Sequence, residues 1–321
     1  MSKKTNLDRI LTLEVVRATE AAAIAAARMV GLGDEKAADQ AAVDAMRSAF
    51  NILHMEGTVV IGEGERDEAP MLYIGEKVGT GEGPKIDIAL DPLEGTTLTA
   101  KAGPGALAVL AIAESGNLLN SPDVYMDKIA VGGGLPKGVV DLDKSPEQNL
   151  KSLAKAKGCA VSDLTACILD RPRHKDIIAA VRKAGARVRL ISDGDVAGVI
   201  FTTDPATGVD IYMGVGGAPE GVLAAAALRC IGGQMQGRLV FRNDDEKGRA
   251  HRIGIEDLDR KYEMEEMASG DVIFAATGVT DGPLVKGVRN GPDGVTTESV
   301  VMRSRTGTIR WITARHRHGK V

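Results

Sequence analysis

Leu11, Val15, Ala18, Ala22 and Ala25 recur at helical spacing in an alanine-rich stretch, which predicts a helix over about 7–29. Gly31 and Gly33 stop it, and Asp34 is placed to cap a second helix running to about His54. The period then changes. Residues 58–61 form a β-branched run between glycines and predict a strand. Along 86–91, Ile86, Ile88 and Leu90 share one face of a second strand, which Pro92 is expected to end. Further strands are expected over 106–113 and 128–131, and a helix over 146–157. Beyond about 160, strands at 165–169, 188–191 and 209–213 alternate with helices near 174–184, from Asp193, and over 219–230. Such alternation predicts βαβ units with a mixed or parallel sheet. The last eighty residues carry strand signals at 272–275 and 299–303 and a charged helical stretch around 256–268; the basic tail 315–318 reads as a solvated end. The fold class is therefore α/β, with an α+β-like arrangement of two lobes, 1–160 and 161–321. No Pro/Ser-rich linker separates them.

Composition narrows this picture. In 321 residues, 44% are apolar but only 3% aromatic, so the core must be aliphatic. A formal charge of −4 argues against a nucleic-acid binder, which needs a basic face to displace counterions. Cys159, Cys167 and Cys230 are odd in number and lack C-x-x-C spacing, which argues against a disulfide framework or a thiolate zinc site. No secretory h-region and no run near the ~18 apolar residues of a membrane span is visible, so a soluble cytoplasmic protein is expected, with no membrane partner.

The chemistry is carried by carboxylates at strand ends beside glycines. Asp91-Pro92-Leu93-Glu94-Gly95-Thr96 supplies two hard oxygen donors and backbone N–H groups, a combination that suits a metal-bound phosphate. The bland alternative is an acidic turn. Gly62-Glu63-Gly64-Glu65-Arg66-Asp67-Glu68 follows the strand at 58–61; it is either a cation site, with Glu63 nearest the strand, or a solvated charge run. Gly214 to Gly221 combines glycines with Pro219 at a helix start. There Glu220 either meets a ligand or complements the helix dipole. Arg171-Pro172-Arg173-His174 is a cationic clamp or a surface pair. Asp193-Gly194-Asp195 can bind metal, cap a helix or accept sugar hydroxyls. His54, His251, His316 and His318 have no metal-ligand spacing and read as packing or surface residues. No G-x-G-x-x-G, no G-x-x-x-x-G-K-[ST] and no G-x-S-x-G occurs, so dinucleotide, P-loop and serine-hydrolase chemistry lose weight.

The stretch Asp91 to Thr96 resembles the D-P-x-[DE]-G-[TS] signature of the metal-dependent, lithium-sensitive phosphatases. The ordered set of stretches at 57–65, 67–75, 123–126, 171–174, 193–197 and 216–221 is similar, more narrowly, to class II fructose-1,6-bisphosphatases. That resemblance covers most of the chain and thins at 132–137, in the last eighty residues and in the tail. It implies a layered α/β sandwich and metal-dependent hydrolysis of the carbon-1 phosphate of fructose 1,6-bisphosphate, in gluconeogenesis or carbon fixation. It implies two or more Mg²⁺ or Mn²⁺ ions on Asp39, Glu63, Asp91, Glu94 and Glu220; unaided, Asp39 would read as a solvated helix charge. Thr96 would orient the attacking water beside Asp91, Glu94 and Glu63. Substrate contacts would come from Glu94, Gly95, Thr96, Tyr125, Arg171, Pro172, Arg173, Asp193, Gly194, Asp195 and Gly217. A homodimer or homotetramer is implied. The alternatives are a related phosphatase for sedoheptulose 1,7-bisphosphate, an inositol phosphate or a nucleotide 3′-phosphate, and a sugar-phosphate binding protein without turnover.

Overall fold

A computed structural model describes residues 7, 11–64 and 71–317. In chain order the elements are α1 (Leu11–Ala27), α2 (Glu35–Phe50), β1 (Glu56–Ile61), β2 (Lys77–Val78), β3 (Lys85–Glu94), α3 (Thr96–Ala100) and β4 (Leu107–Glu114). There follow β5 (Tyr125–Gly132), α4 (Pro146–Lys157), β6 (Thr165–Leu169), α5 (Lys175–Lys183), β7 (Arg187–Ile191), α6 (Asp195–Ile200), β8 (Ile211–Gly217) and α7 (Ala218–Ile231). The chain continues through β9 (Gly233–Val240), α8 (Asp244–Arg252), β10 (Lys261–Glu263), α9 (Met264–Met267), β11 (Val272–Gly278), β12 (Arg289–Gly291), β13 (Gly294–Arg303) and β14 (Thr308–Arg317). Mixed α/β content in two sheets agrees with the expected fold class.

Contacts divide the chain into a first unit, Met1–Leu119 with Ala268–Val321, and a second, Asn120–Met267. The boundary expected near 160 is thus replaced by two crossings. The reason is strand pairing: β11 and β13 continue the sheet of β4, whereas β5 pairs with β8 and β9.

Among the described residues, the first unit holds an eight-stranded sheet in the order β12-β13-β11-β4-β3-β1-β2, with β14 on β13. β1 and β3 are parallel, so their carboxyl ends lie at the same edge. Buried aliphatic side chains of α1 and α2, such as Val15, Ala22 and Met46, pack with Ile88, Leu110 and Ile273 of the strands. As expected, Asp34 caps α2, accepting from the Ala37 N–H at 2.9 Å. Pro92 does not end its strand. The β3–β4 ladder pairs Asp91 with Val109 and next pairs Glu94 with Leu107, so Pro92 sits in a bulge where no N–H is needed.

The tail is likewise not a loose end as far as Arg317: β14 pairs with β13 over all ten of its residues. Its inward positions explain this. Ile312 packs on the core, and His316 Nε2 lies 3.0 Å from Thr297 Oγ1, which donates to Glu20 Oε1 at 3.2 Å. His318 lies outside the described residues.

The second unit holds a six-stranded mixed sheet, β10-β9-β5-β8-β6-β7. β6 is parallel to both β7 and β8, and the β5, β8, β9 and β10 pairings are antiparallel. The charged stretch at 256–268 is not one helix. Buried Tyr262 and the Lys261 ammonium, paired with Asp141 and Asp143, hold β10 against β9, and only the single turn of α9 is helical. Cys159 and Cys167 are free thiols, and burial pushes the Cys167 thiol up to about 12. Among the described residues, no helix is long and apolar enough to cross a membrane.

Candidate active site

In the first unit the candidate residues gather where β1 and β3 end. The parallel register sets Ile61 beside Ala89, so Glu63, just past the end of β1, comes level with Asp91, which is still paired with Val109 of β4 where β3 enters its bulge. Asp91 Oδ1 accepts from the Leu93 N–H at 3.0 Å, which folds the bulge around the carboxylate. Glu94 is buried, with 4% of its surface exposed. Gly95 follows with φ +98°, a conformation that a Cβ would strain, and its carbonyl accepts from the Thr99 N–H at 2.9 Å. The chain therefore turns directly into α3, with half-buried Thr96 as its first residue. Asp39 is half-buried on α2, which packs on β3 and α3, and burial raises its carboxyl above the usual range. Among the described residues, no three carboxylate, imidazole or thiol groups are gathered as a ligand shell. Residues 65–70, which continue the acidic loop, lie outside the described residues.

In the second unit the other candidates converge on one edge of the sheet. β6, β7 and β8 run parallel and end together, and β5 begins there because it is antiparallel to β8. Open α/β sheets bind ligands at such carboxyl ends. β6 and β8 pair only at Ala166–Ile211 and Cys167–Tyr212 and then part. His174 spans the opening: Nδ1 meets the Leu169 carbonyl at 2.7 Å, and Nε2 accepts from the Val215 N–H at 2.8 Å. Since Nε2 accepts, Nδ1 carries the proton and the ring is neutral. Burial lowers its pKa below the usual 6.5.

Arg173 donates twice to the Val215 carbonyl, at 2.9 and 2.7 Å, and stacks 4.8 Å from the centre of the Tyr125 ring. Arg242 lies 5.0 Å from the same centre. Arg171 donates to the Ser192 carbonyl and lies 3.8 Å from Asp193. Pro172 opens the short 3₁₀ turn between the two arginines, and Gly194 (φ +84°) precedes α6. Tyr125, Arg171, Arg173, Asp193, Asp195, Gly217 and Glu220 thus share one end of this sheet.

Beneath them lies a buried cluster that motif reading does not reveal. Lys128, 1% exposed, pairs with Asp195 and donates to the Gly217 carbonyl at 2.8 Å. Tyr212 reaches Asp195 at 3.5 Å. The only sequence signal was a lysine in the middle of a mostly apolar strand. A side chain at Gly216 would run into Asp195 and Lys128, and one at Gly217 into the Glu220 carboxylate.

Glu220 is the informative member. Burial, and next the Asp195 charge, push its carboxyl up to about 7. Its Oε2 is buried with no hydrogen-bond partner among the described residues. A buried carboxylate oxygen without a donor is costly and is what a cation satisfies. The expected donors are all carboxylate oxygens, the set that Mg²⁺ and Mn²⁺ prefer, so the residues fit such an ion.

Residues 9–316 match the sequence profile of the bacterial fructose-1,6-bisphosphatases, glpX-encoded. A Trichodesmium erythraeum (strain IMS101) protein is 46% identical over 98% of this chain and 98% of its own. A Synechococcus sp. (strain JA-2-3B'a(2-13)) protein is 47% identical over 97% of this chain and 96% of its own. Both relatives carry the name D-fructose 1,6-bisphosphatase class 2/sedoheptulose 1,7-bisphosphatase. By a match that spans nearly its whole length, this chain belongs to the bacterial, glpX-encoded fructose-1,6-bisphosphatase family.

Proposed function

We infer that this chain is a phosphoric monoester hydrolase that removes the carbon-1 phosphate of fructose 1,6-bisphosphate, giving fructose 6-phosphate and inorganic phosphate. The full-length family match carries the reading. The partnerless buried oxygen of Glu220 supports its metal dependence. Divalent cations, Mg²⁺ or Mn²⁺, held by Asp39, Glu63, Asp91, Glu94 and Glu220 would neutralise phosphoryl charge and acidify a water. The protein's own groups do the rest. The amides of Gly95 and Thr96 hold the oxygens of the reacting phosphate. The Thr96 hydroxyl orients the attacking water in line, and a neighbouring carboxylate, Glu63, Asp91 or Glu94, takes its proton. Tyr125, Arg171 and Arg173 grip the distal phosphate, and Asp193 and Asp195 accept sugar hydroxyls.

The test is phosphate release from fructose 1,6-bisphosphate with Mg²⁺ or Mn²⁺ and with chelator. Metal-dependent release, lost by orders of magnitude in Asp91→Ala, is expected. A folded protein that releases none, or an Asp91→Ala variant with normal activity, would defeat the reading. The double name of the relatives favours sedoheptulose 1,7-bisphosphate as an additional substrate, tested in the same assay. The proposal extends to a homodimer or homotetramer in the cytoplasm, a compartment that suits an odd number of cysteines without C-x-x-C spacing; light scattering checks the assembly.

A further inference from the structure

We propose that Lys128 is a positioning residue whose single ammonium ties the Asp195 turn to the Gly217 carbonyl and thereby sets the affinity for the sugar phosphate. The proposal rests on the function inferred above.

Lys128 belongs to none of the loops at the sheet edge. It lies on β5, three residues after Tyr125, and alternation along that strand turns Met126 and Lys128 to the same face. A Cβ built on Gly221 of α7 meets Met126 and Lys128, so this is the face that α7 covers. Burying an ammonium is expensive unless it is paired and hydrogen-bonded. Here its partners lie on two separate elements. One is the Asp195 carboxylate at the start of α6, and the other is the Gly217 carbonyl where β8 passes into α7. Asp195, 6% exposed, has the Tyr212 hydroxyl at 3.5 Å as its other partner here.

The small residues around the ammonium are fitted to it. Gly216 leaves room for Asp195 and Lys128, and Gly217 leaves room for Glu220. Two buried carboxylates, Asp195 and Glu220, therefore face one buried ammonium. Without it they repel each other, and the turn bearing Asp193, Gly194 and Asp195 loses its anchor to the β8–α7 junction. An effect through placement of ligand contacts appears in binding, whereas a direct role in phosphoryl transfer would appear in turnover.

Wild type, Lys128→Met, Asp195→Asn and the double variant are compared at saturating Mn²⁺. The measurements are kcat and KM for fructose 1,6-bisphosphate, and the calorimetric affinity for fructose 6-phosphate with and without Mn²⁺. Lys128→Met is expected to raise KM and weaken fructose 6-phosphate binding by about 10-fold or more, with kcat changed by less than about 3-fold. The double variant should be no worse than the poorer single one, because both remove the same tie. Unchanged KM and binding in Lys128→Met, a loss confined to kcat, or additive effects would overturn the proposal. Should Lys128→Met fail to fold, Asp195→Asn decides: wild-type KM and binding in it would overturn the proposal equally. A wild type that turns over while Lys128→Met behaves identically defeats only this inference. A wild type that neither releases phosphate nor binds fructose 6-phosphate defeats the function and this inference together.

Discussion

His174 holds β6 and β8 together where their backbone ladder has ended, so replacing it tests how the site edge is built. The ring is 2% exposed and serves two backbone groups, the Leu169 carbonyl and the Val215 N–H. His174→Ala strands both of them, at about 1–3 kcal/mol each. The vacated ring volume adds to this, so a loss of about 3–5 kcal/mol is expected. For a unit of about 150 residues that corresponds to a fall in Tm of roughly 10 °C. The single tryptophan, Trp311, lies in the other unit, so its emission does not follow this change. Hydrogen exchange of the segment 211–217 does, and the Val215 amide should lose its protection first. The same ring supplies a pH dependence. Burial lowers the His174 pKa in the folded state, so below 6.5 the unfolded chain binds the proton more readily. The contribution is complete above 6.5 and is lost as pH falls from there toward the lower folded value. Wild type should therefore lose protection in this window, and His174→Gln should show a flatter slope. Slow exchange of 211–217 in His174→Ala, or an identical pH slope in His174→Gln, would refute the bracing role.

Glu220→Gln should cut metal-dependent phosphate release by about two orders of magnitude or more. The metal-free variant should melt no lower than wild type, since it exchanges a buried carboxylate with a partnerless oxygen for a neutral amide. Gly95→Ala forces a Cβ into φ +98° and within 3.0 Å of Leu98 Cδ1. It should cost about 1–3 kcal/mol in denaturant unfolding and depress kcat by tilting the Thr96 amide; wild-type kcat would argue against that amide's role. Thr277→Val breaks a buried hydroxyl chain in which Thr277 lies 2.7 Å from Thr19 and 2.8 Å from Ser299. A loss of about 1–3 kcal/mol, read by Trp311 emission in urea, is expected.

Local pattern in the sequence reached the helices and central strands because each is periodic and bounded by a cap or a glycine. The α4 and β6 limits follow directly from Pro146, Lys157, Thr165 and Leu169. What local pattern could not reach was long-range pairing. Nothing near residue 114 announces that Val272 will lie beside Ala113, so the unit boundary was misplaced. β14 is hard to see in the sequence because exposed Thr313, Arg315 and Arg317 alternate with the inward residues and mask the strand. At the site, carboxylates flanked by glycines and the two arginines either side of Pro172 stood out. Lys128 did not, and His174 showed only as part of the 171–174 stretch, because their bracing roles come from partners on other elements rather than from neighbours in sequence.

The interrupted first unit has a consequence for synthesis on the ribosome. β4, apolar and buried from Leu107 to Ala113, takes β11 as its antiparallel neighbour, and the bridge Leu118–Ala268 closes the gap in the chain between them. All of the second unit, Asn120–Met267, is translated in between. At about 5–20 residues per second, β4 waits roughly 10–30 s with one apolar edge unpaired, the kind of edge that recruits other chains. The inserted unit is continuous in sequence and can close its own sheet during that wait. The nascent chain therefore finishes its middle before its beginning, and β4 is the segment that a holdase chaperone would shield.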